Sequence, residues 1–131
     1  MDSISSLTSL QHRLKNGDTL CTQIVKDYLD KINQHRHLNA FLEVYADEAL
    51  ARAAEIDTRL ANRTAGRLAG LVVGLKDTFA HEGHPVSAGS KILSGYQSPY
   101  SATAVQRLLD EDAIIIGRQN CDEFAMGSSN E

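Results

Sequence analysis

Two apolar blocks decide the fold of this chain, Leu71-Val72-Val73-Gly74-Leu75-Lys76-Asp77 and Ala113-Ile114-Ile115-Ile116-Gly117. Each is a short aliphatic run bounded by glycine or by charged residues, which is typical of a buried β-strand. Between them, Ser101 can cap a helix whose apolar face includes Val105 and Leu109. Strand, crossover helix and strand predict a βαβ unit, and strands without polar alternation favour a parallel sheet covered on both faces.

Residues 1–65 have the 3.6-residue apolar spacing of helices, and we predict a helical segment over this range. A short first helix ends at Asn16-Gly17, and Asp18-Thr19 can cap a second one. The apolar face of the second helix consists of Leu20, Ile24, Val25, Tyr28, Leu29 and Ile32. After a polar loop at Gln34–Asn39, a third helix with mostly small residues on its packing face spans Ala46–Leu60.

The predicted fold class is therefore α/β, with N-terminal helices followed by the first strands of an incomplete sheet that helices cover. Two or three strands leave at least one edge with unpaired backbone groups. We expect residues 1–131 to be the N-terminal part of a single larger domain, with a helical segment at 1–65 and the start of the α/β core at 66–131. Alternatively, a small domain could cover this edge by forming a dimer.

Composition and charge exclude several classes of protein. The 131 residues are 42% hydrophobic and 23% charged, as in globular domains. A net charge of −4 argues against direct binding of a nucleic-acid backbone. We find no secretory signal and no apolar run long enough for a membrane span, so we expect a cytoplasmic protein. Cys21 and Cys121 form no C-x-x-C pair, and we expect both thiols to be free.

Lys76 is the main candidate for chemistry. A lysine at the end of a buried strand must be neutral, paired or exposed, because an unpaired buried ammonium is costly. Since successive strand residues point to opposite faces, Lys76 and Asp77 should diverge. Apolar burial or a nearby cation would favour the neutral amine that can act as a base. The residues alone leave two interpretations open, a general base and a solvated surface lysine.

Two other segments are similar to known binding motifs but do not match them. A phosphate-binding loop requires Gly before the lysine and Ser or Thr after it, whereas Leu75 and Asp77 flank Lys76. The segment His81-Glu82-Gly83-His84 is one residue shorter than the zinc motif H-E-x-x-H and lies in a Gly- and Pro-containing loop. We therefore predict no metal site and interpret the histidines as part of a solvated loop.

Taken together, these blocks resemble the amidase signature family, and within it the branch formed by the A subunits of aspartyl/glutamyl-tRNA amidotransferases. The similarity covers essentially the whole chain and is most specific over Asp122–Ser129. The matching stretches are Leu71–Asp77, Ser87–Leu93, Pro99–Val105 and Ile116–Glu131. The resemblance implies an amidase-type mixed sheet. The chain departs from the family at Thr78, where Asn is usual, and at Arg118–Cys121, where Lys-Thr-Asn-Met is common.

The resemblance implies a catalytic lysine and two catalytic serines, and Lys76 matches the lysine. Both serines belong to a segment that in the family lies beyond Glu131, so Ser128 and Ser129 are not assigned to these positions. Met126, Gly127 and Ser128 correspond instead to a turn that lines the substrate pocket. The 131 residues alone are therefore expected to be inactive.

The implied function is the glutaminase half of a transamidation system in protein biosynthesis. Ammonia released from glutamine passes to other amidotransferase subunits, which amidate Glu-tRNA or Asp-tRNA. The charged tRNA, ATP and Mg²⁺ would bind the partner subunit, and we expect no cofactor in this chain. Two alternatives remain open at this point, a stand-alone amidase of the same family and a small non-catalytic helical interaction domain.

Overall fold

The computed structural model describes residues 6–128. Its helices are α1 (Leu7–Asn16), α2 (Cys21–Gln34), α3 (Ala46–Ala61) and α4 (Thr103–Asp110). Its strands are β1 (Phe41–Val44), β2 (Val72–Lys76) and β3 (Ile114–Gln119). Short 3₁₀ helices occupy Arg36–Leu38, Lys91–Leu93 and Glu123–Ala125. Over residues 6–128, none of the helices combines the length and the apolar character needed to cross a membrane.

The three strands form one mixed sheet in the order β1-β3-β2. β3 is the central strand, parallel to β2 and antiparallel to β1. The β2–α4–β3 segment is thus the predicted βαβ unit, and the predicted α/β class with a mixed sheet is confirmed. β2 ends at Lys76, as the sequence indicated, whereas β3 extends beyond its apolar block through Gln119.

The side chains of β3 enter two separate cores, one on each face of the sheet. Ile114 and Ile116 pack in a cluster with buried residues of α1, α2 and α3. Ile115 packs on the opposite face with Leu75 of β2 and Val105 of α4. This is the alternation expected for successive strand residues. The uniformly apolar run is therefore explained by cover on both faces.

β1 was not predicted, because it lies within the segment that we interpreted as helical. It has only four residues, which is too short for a periodicity of two to outweigh its helical surroundings. Its partners are residues 117–119 of β3, far away in the chain. Gly117 permits the close approach, since an added Cβ there would overlap the carbonyl oxygen of Glu43.

The N-terminus of α2 is capped by another helix, so the predicted cap at Asp18-Thr19 is wrong. Leu20 occupies the N-cap position and makes no side-chain capping bond. The backbone N–H groups of Cys21 and Thr22 instead donate to the carboxylate of Asp57 in α3, at 2.6 and 3.1 Å. One carboxylate thus satisfies two of the donors that a helix start leaves unpaired.

The predicted cap at Ser101 is also wrong, because Ala102 holds the N-cap position of α4. The Ser101 hydroxyl oxygen accepts a hydrogen bond from the backbone N–H of Glu82 at 3.0 Å, across the preceding loop. The predicted stop of α1 is correct. Gly17 ends that helix in the left-handed conformation, at φ +78°, which glycine adopts without strain.

We predict that Asp57→Ala lowers the free energy of unfolding of the complete protein by about 1–2 kcal/mol, because it removes the cap of α2. The measurement is urea denaturation followed by circular dichroism. The matched control is Glu55→Ala on the same helix, which breaks only a surface ion pair with Arg52 at 3.4 Å. We expect that control to change stability by less than about 0.5 kcal/mol. Equal losses in the two variants would contradict the capping role.

Candidate active site

Lys76 is the last residue of β2 and lies beside Gln119, the last residue of β3, in the parallel register. The chain leaves both strands at the same edge of the sheet. In open α/β sheets, ligands bind at the carboxyl ends of the parallel strands. The Lys76 side chain is solvent-exposed at this edge. Its position therefore suits chemistry, while its predicted role as a base remains a prediction.

Asp77 points the other way and is completely buried, so the two neighbours diverge as expected. Its backbone N–H donates to the carbonyl oxygen of Gln119 at 3.0 Å. Its carboxylate accepts four hydrogen bonds. The donors are Arg118 Nη1 at 2.6 Å, Ser87 N at 3.0 Å, Ser87 Oγ at 2.5 Å and Gly89 N at 3.0 Å. This carboxylate joins β2, β3 and the loop after β2.

The Asp77–Arg118 pair is ionised and mutually dependent. Burial by itself raises the pKa of Asp77, but the hydrogen bonds from Ser87, Arg118 and Gly89 outweigh it and hold that pKa below its ordinary value. Burial also opposes the charge of Arg118, whereas the contact with Asp77 raises the pKa of the guanidinium. Removing one member of a buried ion pair costs about 3–5 kcal/mol, because the other charge is left uncompensated.

The loop held by Asp77 in turn holds the turn that follows β3. The carbonyl oxygen of Ala88 accepts a hydrogen bond from the backbone N–H of Phe124 at 2.7 Å. Ser90 Oγ donates to Glu123 Oε1 at 2.7 Å. These contacts connect the Asp77 carboxylate, through residues 87–90, to the turn at Glu123 and Phe124.

Cys121 lies between these segments and close to Lys76. An added Cβ at Gly89 would lie 2.7 Å from the carbonyl oxygen of Cys121, so the loop and the strand end pack backbone to backbone. Burial and the charge of Asp77 raise the pKa of the Cys121 thiol, and the positive charges of Lys76 and Arg118 partly oppose them. Both cysteines of the chain are free, as predicted, and both are buried.

The predicted pocket-lining turn has an uncommon backbone. Phe124 and Ala125 are non-glycine residues in the left-handed region, at φ +51° and +57°, a feature that clusters at functional sites. The N–H of Gly127 donates to Asp122 Oδ2 within the turn. Met126 is 82% exposed and Ser128 is also exposed, while Ser129 lies outside the described residues.

The structure thus brings the candidate residues to one edge of the sheet without joining them directly. Among residues 6–128, no hydrogen bond or ion pair connects Lys76 with Met126, Gly127 or Ser128. The assignment of this turn to substrate binding therefore remains a prediction.

The histidine loop forms a packed cluster in place of the solvated segment that we predicted. The rings of His81 and His84 stack with centroids 4.1 Å apart, and Tyr45 packs on His84 at 4.3 Å. His84 Nε2 lies 2.9 Å from a carboxylate oxygen of Glu48 in α3. In the part of the chain that the structure describes, no three His, Cys, Asp or Glu side chains are grouped to hold a metal ion.

The role of the Asp77–Arg118 pair was not predicted from the sequence, although the sequence contains a signal for it. Each charge lies at the carboxyl end of an apolar block, and neighbouring parallel strands bring such ends together. Because the two residues are 41 positions apart in the chain, their proximity is found only when the βαβ unit is used to align the strands.

Comparisons with known proteins agree with this geometry. The family model described as Amidase matches residues 23–131. The A subunit of glutamyl-tRNA(Gln) amidotransferase from Chlorobaculum tepidum is 50% identical over 123 residues, which are 93% of this chain and 26% of that protein. The protein of the same name from Chlorobium phaeobacteroides (strain BS1) is 45% identical over 128 residues, or 97% of this chain and 27% of that protein. This chain therefore spans about a quarter of the length of these relatives.

Among solved structures, the native peptide amidase of Stenotrophomonas maltophilia superposes with a TM-score of 0.85 at 32% sequence identity. The superposition covers 93% of this chain and 26% of the peptide amidase. The helices and the partial sheet described above thus correspond to about a quarter of an amidase.

We predict that His81 makes stability depend on pH. Burial, together with the charge of His84, lowers the pKa of His81 below its ordinary value near 6.5. His81 therefore binds a proton less readily in the folded state than in the unfolded state. The contribution to stability is complete above pH 6.5 and is lost as the pH falls through the pKa of the folded state.

The measurement is the free energy of unfolding of the complete protein between pH 7.5 and 5, for the wild type and for His81→Asn. The variant should lose less stability than the wild type over this range, because it lacks the group that must take up a proton. The same pH dependence in both proteins would show that His81 is not the responsible group.

Proposed function

This chain belongs to the amidase family, and from that premise we propose that it serves as the glutamine-hydrolysing subunit of a tRNA-dependent amidotransferase. The observation that carries the proposal is the position of Lys76, at the carboxyl end of a parallel strand and at the same sheet edge as the turn after β3. That position allows one lysine to meet residues from several connecting segments.

In the proposed mechanism Lys76 is the base. It takes a proton from a first serine, which activates a second serine to attack the amide carbon of glutamine. The attack forms an acyl-enzyme, the amide nitrogen takes up the proton given up by the serines and leaves as ammonia, and water then frees glutamate. We propose that both serines follow Glu131 in the complete protein. These 131 residues alone should consequently not hydrolyse glutamine.

We propose that Met126, Gly127 and Ser128 line the substrate pocket. Two observations support this assignment: the uncommon backbone of the preceding residues and the contacts that tie the turn to the loop held by Asp77. A turn fixed in this way can present peptide groups to the polar atoms of a substrate without reorganising.

The tRNA-linked half of the reaction is assigned to partner subunits in the cytoplasm. The net charge of −4 makes this chain poorly suited to binding the tRNA backbone. We also assign ATP and Mg²⁺ to the partner. In this proposal glutamine is the only substrate that this chain binds directly, and ammonia passes across the interface with the partner.

A stand-alone amidase is the second candidate, favoured by the structural likeness to the peptide amidase at a TM-score of 0.85. The sequence identities favour the first candidate, because they are 50% for the amidotransferase relative and 32% for the peptide amidase. The small helical interaction domain, in which Lys76 would be incidental, is the least supported interpretation, because the chain carries a βαβ unit and a family match over residues 23–131.

We predict that Lys76→Ala lowers the turnover of glutamine by the complete protein by at least about a hundredfold, because it removes the base. Its melting temperature should stay close to that of the wild type, since the side chain is exposed. The matched control is Lys91→Ala, which removes another exposed lysine and should retain activity. Turnover by Lys76→Ala close to that of the control would return Lys76 to the surface-lysine interpretation.

We further predict that the complete protein needs partner subunits for the tRNA-linked reaction. Glutamine, Glu-tRNA, ATP and Mg²⁺ are supplied with and without the candidate partners, and the amidated tRNA is quantified. Asp-tRNA is tested in parallel. Amidated tRNA should form only with the partners present. Efficient hydrolysis of aryl or fatty amides, with no partner-dependent product, would favour the stand-alone amidase.

A further inference from the structure

The Asp77 carboxylate is connected to the candidate site by an unbroken series of contacts. It follows Lys76 directly in the chain, and it fixes the loop at residues 87–90 through Ser87 and Gly89. That loop fixes the turn after β3 through two hydrogen bonds of 2.7 Å, one to Glu123 and one to Phe124. One buried side chain thus connects three segments, together with the backbone hydrogen bonds between them.

We propose that Asp77 is a positioning residue for amide hydrolysis: held by Arg118, it sets the position of the turn at residues 122–127 relative to Lys76. The inference rests on the proposed function, and it assigns to Asp77 a role apart from proton transfer. Asp77 is completely buried and its carboxylate oxygens are occupied by protein donors, so substrate does not reach it. Its effect on turnover is exerted through the segments that it holds.

The alternative is that the pair only stabilises the fold, and the chain offers a matched control. Asp112 is also buried, at 1% exposure, and is bound by Arg52 at 3.1 Å, Arg59 at 2.6 Å and the N–H of Gly66 at 2.8 Å. It precedes β3 and therefore lies at the opposite end of that strand from Arg118. Asp77 and Asp112 share burial, arginine partners and backbone donors, but only Asp77 contacts the candidate site.

The test compares Asp77→Asn with Asp112→Asn in the complete protein. An asparagine has one acceptor oxygen in place of two, so it cannot satisfy both sets of donors around Asp77. Melting temperatures are measured first, and kcat and KM for glutamine are then measured below both transitions. Both variants should melt at lower temperature than the wild type. We expect kcat to fall about 10- to 100-fold in Asp77→Asn, because small misplacements of reacting groups have effects of this size, and to stay within about twofold of the wild type in Asp112→Asn.

A second pair of variants keeps the test decisive if Asp77→Asn does not fold. Ser87→Ala removes only the hydroxyl donor that lies 2.5 Å from the Asp77 carboxylate, and Ser87→Thr keeps a hydroxyl. Ser87→Ala should lower kcat, and Ser87→Thr should recover most of the loss. A purely structural role would change the melting temperature without this recovery of kcat.

The outcomes separate this inference from the proposed function. If the wild type shows no Lys76-dependent hydrolysis of glutamine, the proposed function fails and the inference fails with it. If hydrolysis depends on Lys76 but folded Asp77→Asn has the same kcat as Asp112→Asn, the inference alone is overturned. If Asp77→Asn does not fold, a wild-type kcat in Ser87→Ala overturns it. A selective fall in kcat for Asp77→Asn, or for Ser87→Ala with recovery in Ser87→Thr, supports it.

Discussion

The ion pair between Asp77 and Arg118 is the constraint on which the arrangement of the candidate site depends. A completely buried carboxylate requires donors for both oxygens, and here they come from a neighbouring strand and from a loop. That requirement ties three separate parts of the chain to one point. The loop must therefore pack closely against the end of β3. Its glycine makes this possible, because Gly89 leaves room for the carbonyl oxygen of Cys121.

The central strand β3 is anchored by an aspartate–arginine contact at each end, and the two anchors differ in what they hold. At the amino end, Asp112 binds Arg52 and Arg59 and thereby fixes the helix α3 to the sheet. At the carboxyl end, Arg118 binds Asp77 and thereby fixes connecting segments. The first contact serves the packing of a regular element, whereas the second organises irregular backbone at the edge where open α/β sheets bind their ligands. Similar chemistry thus supports the fold at one end and the candidate site at the other.

The parts of the fold that sequence analysis predicted are those with strong local signals. The strand at Ile114–Ile116, the helix at Ala46–Leu60 and the stop at Gly17 depend on periodicity or on a single backbone conformation. The features that it missed depend on partners far away in the chain. β1 exists because β3 pairs with it, and α2 is capped by Asp57, 36 residues from Cys21. From local sequence alone, the cap of α2 could be assigned only to a nearby side chain. The assignment to Asp18-Thr19 was therefore wrong.

The candidate site shows the same division between local and distant information. Lys76 was identified from its position after an apolar block, and its divergence from Asp77 followed from the alternation of strand residues. What that divergence means for the charges around Lys76 could be seen only in the structure. A carboxylate beside a lysine favours the charged ammonium, which cannot accept a proton. Here the Asp77 carboxylate is turned into the protein and satisfied by Arg118 and the loop donors. Within residues 6–128, Lys76 forms no ion pair, because the carboxylate of its neighbour Asp77 is directed into the protein. The negative charge next to Lys76 in the sequence therefore does not pair with the amine that we propose as the base.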